Sequence, residues 1–127
     1  MRKLALAVLV SVPLAGAAPL QRANRVPAAT PSGKPVSCLR LTDIRDSRVR
    51  SDQVIDFTTR GGKVYRNTLR NACPGLGFEQ RFAYQTSIGQ LCSVDIIRVL
   101  QSPNITPGAA CGLGEFQPAT LSARTKR

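Results

Sequence analysis

Four dispersed cysteines constrain the fold of this chain more than any other feature of its sequence. Cys38, Cys73, Cys92 and Cys111 are separated by 35, 19 and 19 residues, and the 127-residue chain contains no histidine. None of the cysteines forms a C-x-x-C pair, which disfavours a thioredoxin-like redox centre and a structural zinc site. Whether they form disulfides or remain buried thiols therefore depends on the compartment in which the chain folds.

The N-terminus indicates an oxidising compartment. Arg2 and Lys3 form a short positive region, residues 4–14 carry no charge, and small residues follow at positions 15–18. This order is typical of a secretory signal peptide, and an apolar run of about 11 residues is too short for a membrane span, which needs about 20. We therefore predict a signal peptide at residues 1–18, with a short buried helix as the alternative. The mature chain would be periplasmic or secreted and would have no transmembrane anchor.

Export favours two disulfides over free buried thiols, and four cysteines allow three pairings. We expect a hairpin within residues 78–100, with Cys92 near its turn and with Cys73 and Cys111 both near its open end. The Cα atoms of a disulfide lie within about 7 Å of each other. This geometry favours Cys73–Cys111 together with Cys38–Cys92.

The clearest strand pattern surrounds a glycine pair. Residues 54–59 are rich in β-branched and aromatic residues, and glycines at positions 61–62 separate them from a second apolar run. A two-residue loop would pair Phe57 with Arg66. A three-residue loop would instead pair Phe57 with Tyr65 and would give the hairpin one apolar face. We predict the three-residue loop, with its second glycine in the left-handed conformation.

The other apolar segments indicate further short strands. Residues 78–100 predict a second hairpin that turns at residues 87–90, and residues 111–116 predict a short edge strand. Residues 38–50 fit the spacing of a helix and of a strand equally well. The predicted fold class is mainly β: a small antiparallel barrel or sandwich of five to six short strands, stabilised by disulfides.

The chain divides by composition as well as by pattern. After the signal peptide, residues 19–36 are rich in Pro, Ala, Ser and Thr and predict a disordered leader. We place a single β-rich domain at residues 37–121 and a basic tail at residues 122–127. The formal charge of the whole chain is +11, but residues 38–121 contain ten basic and seven acidic residues, a net charge of only +3.

No residue pattern indicates a cofactor, a metal site or a catalytic residue. Without histidine there is no Ser-His-Asp or Cys-His arrangement, and the glycine clusters lack the spacing of phosphate-binding loops. A small hydrolase needs only two carboxylates across a cleft. Asp52 with Asp56 or Asp95, or Asp43 with Asp46, are the candidates for that alternative. Solvated surface carboxylates paired with neighbouring arginines are the simpler interpretation.

A cluster of arginines points to an anionic partner. Arg40, Arg45, Arg48 and Arg50 lie within eleven residues, and alternation along a strand would place Arg48 and Arg50 on one face. We hypothesise that Arg45, Arg48 and Arg50 contact an anionic envelope component or another protein. Two interrupting aspartates support the alternative of a solvated, charge-balanced face. The aromatic content of 5% argues against a nucleic-acid platform, which uses exposed rings for stacking.

Several stretches resemble small exported proteobacterial proteins that are grouped as a domain of unknown function. They are CLRLTDIRDSRVRSDQVIDFTTRGGKVYRNTL, NACPGLGFEQRFAY, LCSVDIIRVL and CGLGEFQP. The resemblance covers about residues 38–118, and its more specific marks are the Cys-Pro-Gly-Leu segment and the four cysteines. It implies a periplasmic or secreted bacterial protein and transfers no catalytic or binding residue. We therefore expect a non-enzymatic binding or structural module, with a small carboxylate-dependent hydrolase as the alternative.

Overall fold

The computed structural model of this protein describes residues 7–11 and 26–122. Most of the predicted signal peptide, its cleavage region and all but the first residue of the predicted basic tail lie outside these ranges. Residues 7–11 form neither helix nor strand and are exposed, so the alternative of a buried N-terminal helix is not found there. No helix among the described residues is long and apolar enough to cross a membrane.

The described residues form a mainly β fold, as predicted, with more strands than the five to six expected. Several strands are only three residues long, too short to show a period in the sequence. In chain order the elements are β1 (Ala29–Pro31), β2 (Cys38–Arg40), a 3-10 turn (Leu41–Asp43), β3 (Ile44–Val49), β4 (Val54–Thr59), β5 (Val64–Thr68), α1 (Leu76–Glu79), β6 (Phe82–Tyr84), β7 (Gln90–Cys92), β8 (Ile96–Gln101), β9 (Thr106–Gly112) and β10 (Phe116–Leu121).

These strands form three antiparallel sheets. The largest has five strands in the order β1-β10-β5-β4-β3, a second has the order β6-β8-β9, and β2 pairs with β7. The five-stranded and three-stranded sheets each turn one apolar face to a shared core, which gives a small sandwich-like arrangement rather than a closed barrel. Their other faces point outward, in opposite directions.

Aromatic rings lie at the centre of the core. Phe57 of β4 is fully buried, and its ring meets Phe116 of β10 edge-on with centroids 5.5 Å apart. The ring of Phe82 in β6 contacts the Phe57 ring from the other sheet, with centroids 6.3 Å apart. Such edge-to-face pairs add to the stabilisation that comes from burying apolar area. The inner face of the five-stranded sheet is therefore defined by Phe57, and residues next to it in β4 must face outward.

The β4–β5 hairpin has the predicted register. Phe57 pairs with Tyr65, and the three-residue loop ends at Gly62, whose φ is 81°. The N–H of Gly62 donates to the carbonyl of Thr59 at 2.8 Å. The same register places Asp56 directly opposite Arg66 on the outer face.

The second hairpin differs from the prediction. β6 pairs with β8, but residues 90–92 leave this sheet as β7 and pair with β2. The expected continuous strand is interrupted by a turn, in which the Asp95 carboxylate accepts the N–H of Cys92 at 2.6 Å. Aspartate favours such local turns over a continued ladder. The predicted edge strand at residues 111–116 is likewise replaced by the junction between β9 and β10.

Two other segments are clarified by strand pairing. Residues 38–50 contain β2, the 3-10 turn and β3, which explains why this segment shows the spacing of a helix as well as that of a strand. The prediction of a disordered leader up to residue 36 is wrong for β1, which pairs with β10, and Ser122 at the predicted start of the tail donates to the carbonyl of Ala28. These contacts are made by the main chain, so they need no apolar pattern in the sequence.

Both disulfides join the cysteines that the sequence argument favours. Cys38 and Cys92 lie opposite each other in β2 and β7, with Cα atoms 4.0 Å apart. Cys73, in the segment before α1, is bonded to Cys111 of β9 with Cα atoms 5.8 Å apart. All four cysteines are therefore oxidised.

Candidate functional site

Charged side chains collect on the outer face of the five-stranded sheet. Because Phe57 points into the core, Asp56 points outward, and the cross-strand partners of Asp56 are Arg48 in β3 and Arg66 in β5. Arg50 follows the last residue of β3 and reaches the same carboxylate. We call this cluster the arginine face; its members are Arg48, Arg50, Arg66, Asp46 and Asp56.

Asp56 is the centre of the arginine face. Its side chain is 2% exposed and accepts three hydrogen bonds. Arg50 Nε donates to Oδ2 at 2.9 Å, and Arg66 donates from Nε to Oδ1 at 2.8 Å and from Nη2 to Oδ2 at 3.0 Å. The two arginine side chains are only 11% and 14% exposed. One buried carboxylate is thus shared by two guanidinium groups.

The sharing leaves an excess positive charge in a fixed position. Arg66 binds Asp56 with two donors in the geometry that suits a guanidinium and a carboxylate, which is the stronger kind of charge-assisted hydrogen bond. Arg50 uses only Nε, and among the described residues its Nη groups have no hydrogen-bond partner. Two positive charges and one negative charge therefore lie together on this part of the sheet, a net charge of +1.

Two more arginines border this centre on the edge strand. Arg48 is 63% exposed and lies 3.7 Å from Asp46, a surface ion pair that contributes little to stability. Arg45 is exposed and lies at an irregularity of the β3 ladder, between Ile44 and Asp46, of the kind that redirects a side chain.

The structure places the three predicted contact residues in different roles. Arg48 and Arg50 share the outer face as the alternation indicated, and Arg50 binds Asp56 through Nε alone. Arg45 is exposed at the irregular position of the same strand. Sequence reasoning missed Arg66, which follows Arg50 by more than ten residues along the chain. The predicted hairpin register already contained the signal, because pairing Phe57 with Tyr65 places Arg66 opposite Asp56.

Four of the five carboxylates nominated for a hydrolase are bound to the protein itself, and the fifth, Asp43, lines a small cleft as its single carboxylate. Asp52 Oδ1 accepts the N–H of Gly77 at 2.7 Å, which holds the start of α1, and Asp95 closes the turn after β7. Asp56 is buried beneath two arginines, and Asp46 lies beside Arg48. Within residues 7–11 and 26–122, no group of three metal-ligating side chains is found. The acidic residues therefore stabilise turns and strands rather than converge on one site.

Two clefts of the described surface also lack a pair of carboxylates. One cleft of about 620 Å³ is lined by Leu41 and by residues 84–87. A second, of about 530 Å³, lies between residues 83–85 and the start of β8, and Asp95 is the single carboxylate in its lining. Neither cleft has the two-carboxylate geometry of a glycosidase-type site.

Comparisons of the chain with known protein families, with curated proteins and with solved structures found no match. The fold itself defines the class: a small antiparallel β protein of the sandwich type with two disulfides.

Proposed function

We propose that this protein is an extracytoplasmic binding module whose arginine face, together with Arg45, contacts an anionic lipid surface of the cell envelope. The observation that carries the proposal is the sharing of one buried carboxylate, Asp56, between Arg50 and Arg66. It holds excess positive charge on a sheet face whose neighbouring edge strand presents Arg48 and Arg45.

Asp56 makes the arginines more effective as binding groups. A free arginine side chain carries roughly 2 kcal/mol of rotamer entropy, part of which is lost on binding. Arg50 and Arg66 are already ordered by Asp56, so their rotamer entropy is lost on folding rather than on binding. The unpaired Nη groups of Arg50 can then donate to a lipid phosphate without further ordering of the side chain.

The shape of the face supports an extended partner. The exposed cations lie on the edge strand, where Arg48 is 63% exposed, whereas Arg50 and Arg66 are largely covered and form the base beside it. Headgroup phosphates present many anions in one plane, which suits such a surface. The two disulfides support an oxidising compartment, periplasmic or secreted. The alternative of a carboxylate-dependent hydrolase gains no support, because four of its five candidate carboxylates are bound to other groups of the protein.

Vesicle binding tests this proposal. The exported, oxidised protein is mixed with vesicles of phosphatidylcholine alone or with added phosphatidylglycerol, at low and at moderate salt, and the bound fraction is measured by sedimentation. We expect binding only to the anionic vesicles and weaker binding at moderate salt, because salt screens exposed charges. Replacing Arg45 and Arg48 by glutamine should lower the partition coefficient about 10- to 30-fold, from about 1 kcal/mol per arginine near the surface.

Two controls separate the arginine face from overall charge. The double variant Arg40→Gln/Arg60→Gln removes the same charge from other parts of the surface, and it should bind nearly as well as the wild type. A variant with glutamine at Arg124, Lys126 and Arg127 measures the contribution of the basic tail. Equal losses in the two double variants, loss of binding from the tail variant alone, or negligible binding of the wild type at low salt would each contradict the proposal.

A further inference from the structure

The outer face of the three-stranded sheet differs in chemistry from the arginine face. Phe82, Ile97 and Val99 point into the core, so Ala83, Ile96 and Arg98 point outward. This face presents small and apolar side chains with one cation. It also forms a wall of the 530 Å³ cleft, whose lining consists of Ala83, Tyr84, Gln85, Val94, Asp95, Ile96 and Arg98. We call this cleft the Arg98 groove.

Exposed apolar side chains form one side of the Arg98 groove. Val94 is 78% exposed and Ile96 is 60% exposed. Ile96 lies within a strand and Val94 within the turn held by Asp95, so both are presented by ordered backbone. Covering these two side chains would remove apolar surface from water, which is favourable in proportion to the area covered.

Arg98 supplies the charge of the groove. Its cross-strand neighbours on this face are Ala83 and Ala110, neither of which can pair with a guanidinium. Its one hydrogen bond within the described residues is a long one, from Nη1 to the carbonyl of Gly108 at 3.4 Å. The other ionisable groups in the lining are Tyr84 and Asp95, and the Asp95 carboxylate accepts the N–H of Cys92. The guanidinium of Arg98 is therefore the group best placed to meet an anion.

Charge complementarity selects the occupant. Asp95 brings one negative charge to the lining, but its carboxylate is engaged by the N–H of Cys92, whereas within the described part of the chain the guanidinium of Arg98 has only the long hydrogen bond to Gly108 and is free to meet an anionic group. A ligand with an apolar chain and one carboxylate satisfies both the apolar side chains and the cation, and the groove volume lies within the range of small-molecule sites. We propose that the Arg98 groove binds a fatty acid, with its carboxylate at Arg98 and its acyl chain along Ile96 and Val94.

This site is independent of the proposed lipid-surface contact. The arginine face and the Arg98 groove lie on the outward faces of two sheets that share one core, so they face opposite sides of the sandwich. A protein with both sites would hold a fatty acid on one side while it binds an anionic surface with the other.

A titration followed by nuclear magnetic resonance tests the groove. The exported, oxidised protein is labelled with nitrogen-15 and titrated below the micelle concentration with decanoate, decanol and decyltrimethylammonium. We expect saturable shifts with decanoate, confined to amides of residues 83–85 and 94–98, and weaker binding of the alcohol and the cation. Arg98→Gln should weaken decanoate binding at least threefold, which is the scale of an exposed ion pair.

Exposed residues provide matched variants that leave the core intact. Ile96→Ser should weaken decanoate binding, whereas Ile88→Ser, at a side chain that is 70% exposed and outside the groove lining, should not. Arg45→Gln/Arg48→Gln should leave decanoate binding unchanged, and Arg98→Gln should leave vesicle binding unchanged, so the two proposals can fail separately. Absence of saturable shifts, shifts spread over the whole protein, equal affinity for the cation, or full affinity in Arg98→Gln would overturn this one.

Discussion

Asp56→Ala is the substitution that most directly tests how the arginine face is held together. It removes three charge-assisted hydrogen bonds of 2.8 to 3.0 Å and leaves Arg50 and Arg66 side by side without a counter-ion. Breaking a buried ion pair by removing one partner costs about 3–5 kcal/mol. The two arginine side chains retain 11% and 14% exposure and can turn partly toward water. We therefore expect a loss of about 2–4 kcal/mol in the free energy of unfolding.

Urea unfolding followed by circular dichroism, with both disulfides intact, measures this loss. A domain of this size loses about 4–8 °C in melting temperature per kcal/mol, so Asp56→Ala should melt about 8–32 °C below the wild type. Asp46→Asn is the matched control, because Asp46 is 54% exposed and its ion pair with Arg48 is long; it should change stability by less than about 1 kcal/mol. An Asp56→Ala loss as small as that of Asp46→Asn would refute the view that Asp56 orders the two arginines.

Three other predictions concern the fold. Asn67→Leu should cost about 2–4 kcal/mol in urea unfolding, because Asn67 is fully buried and bonds both the N–H and the carbonyl of Gly114, which would lose their partners; a loss below about 1 kcal/mol would contradict this. Gly62→Ala should cost about 1–2 kcal/mol from its φ of 81° alone, since an added Cβ meets nothing within 4 Å, and Gly62→Asn should cost measurably less. The double variant Cys73→Ala/Cys111→Ala should lose roughly 2–4 kcal/mol in the free energy of unfolding. Peptide mapping of the oxidised wild type should recover Cys73–Cys111 and Cys38–Cys92. A fragment joining Cys73 to any other cysteine would exclude the observed pairing.

The arginine face links stability to the proposed function through the same residues. Asp56 removes the cost of leaving two largely covered guanidinium groups unpaired and also fixes their positions. Substitution of Asp56 should therefore change both the free energy of unfolding and the fraction bound to vesicles. Substitution of Arg45 or Arg48 should change only the fraction bound to vesicles. This difference allows the two contributions of the cluster to be measured separately.

Parts of the fold could be predicted because they depend on local alternation. The residues of β4 and β5 alternate between apolar and polar side chains on either side of a glycine pair, and one register alone places Phe57 and Tyr65 on one face. Short strands carry no such signal. β1 has three residues and joins β10 by main-chain hydrogen bonds, so nothing in its side chains distinguishes it from a disordered leader.

The dispersed cysteines remain the feature on which the sequence is most informative. Their spacing and the predicted hairpin favoured the pairs Cys38–Cys92 and Cys73–Cys111, although Cys92 reaches its partner through β7 rather than through a long hairpin strand. The sequence by itself determined the β class, one hairpin register and the favoured cysteine pairs, because these follow from periodicity and chain separation. Only the tertiary structure decided that Arg66 joins Arg50 on Asp56. That contact depends on the pairing of strands, and the energy of a buried charge depends on what surrounds it in space.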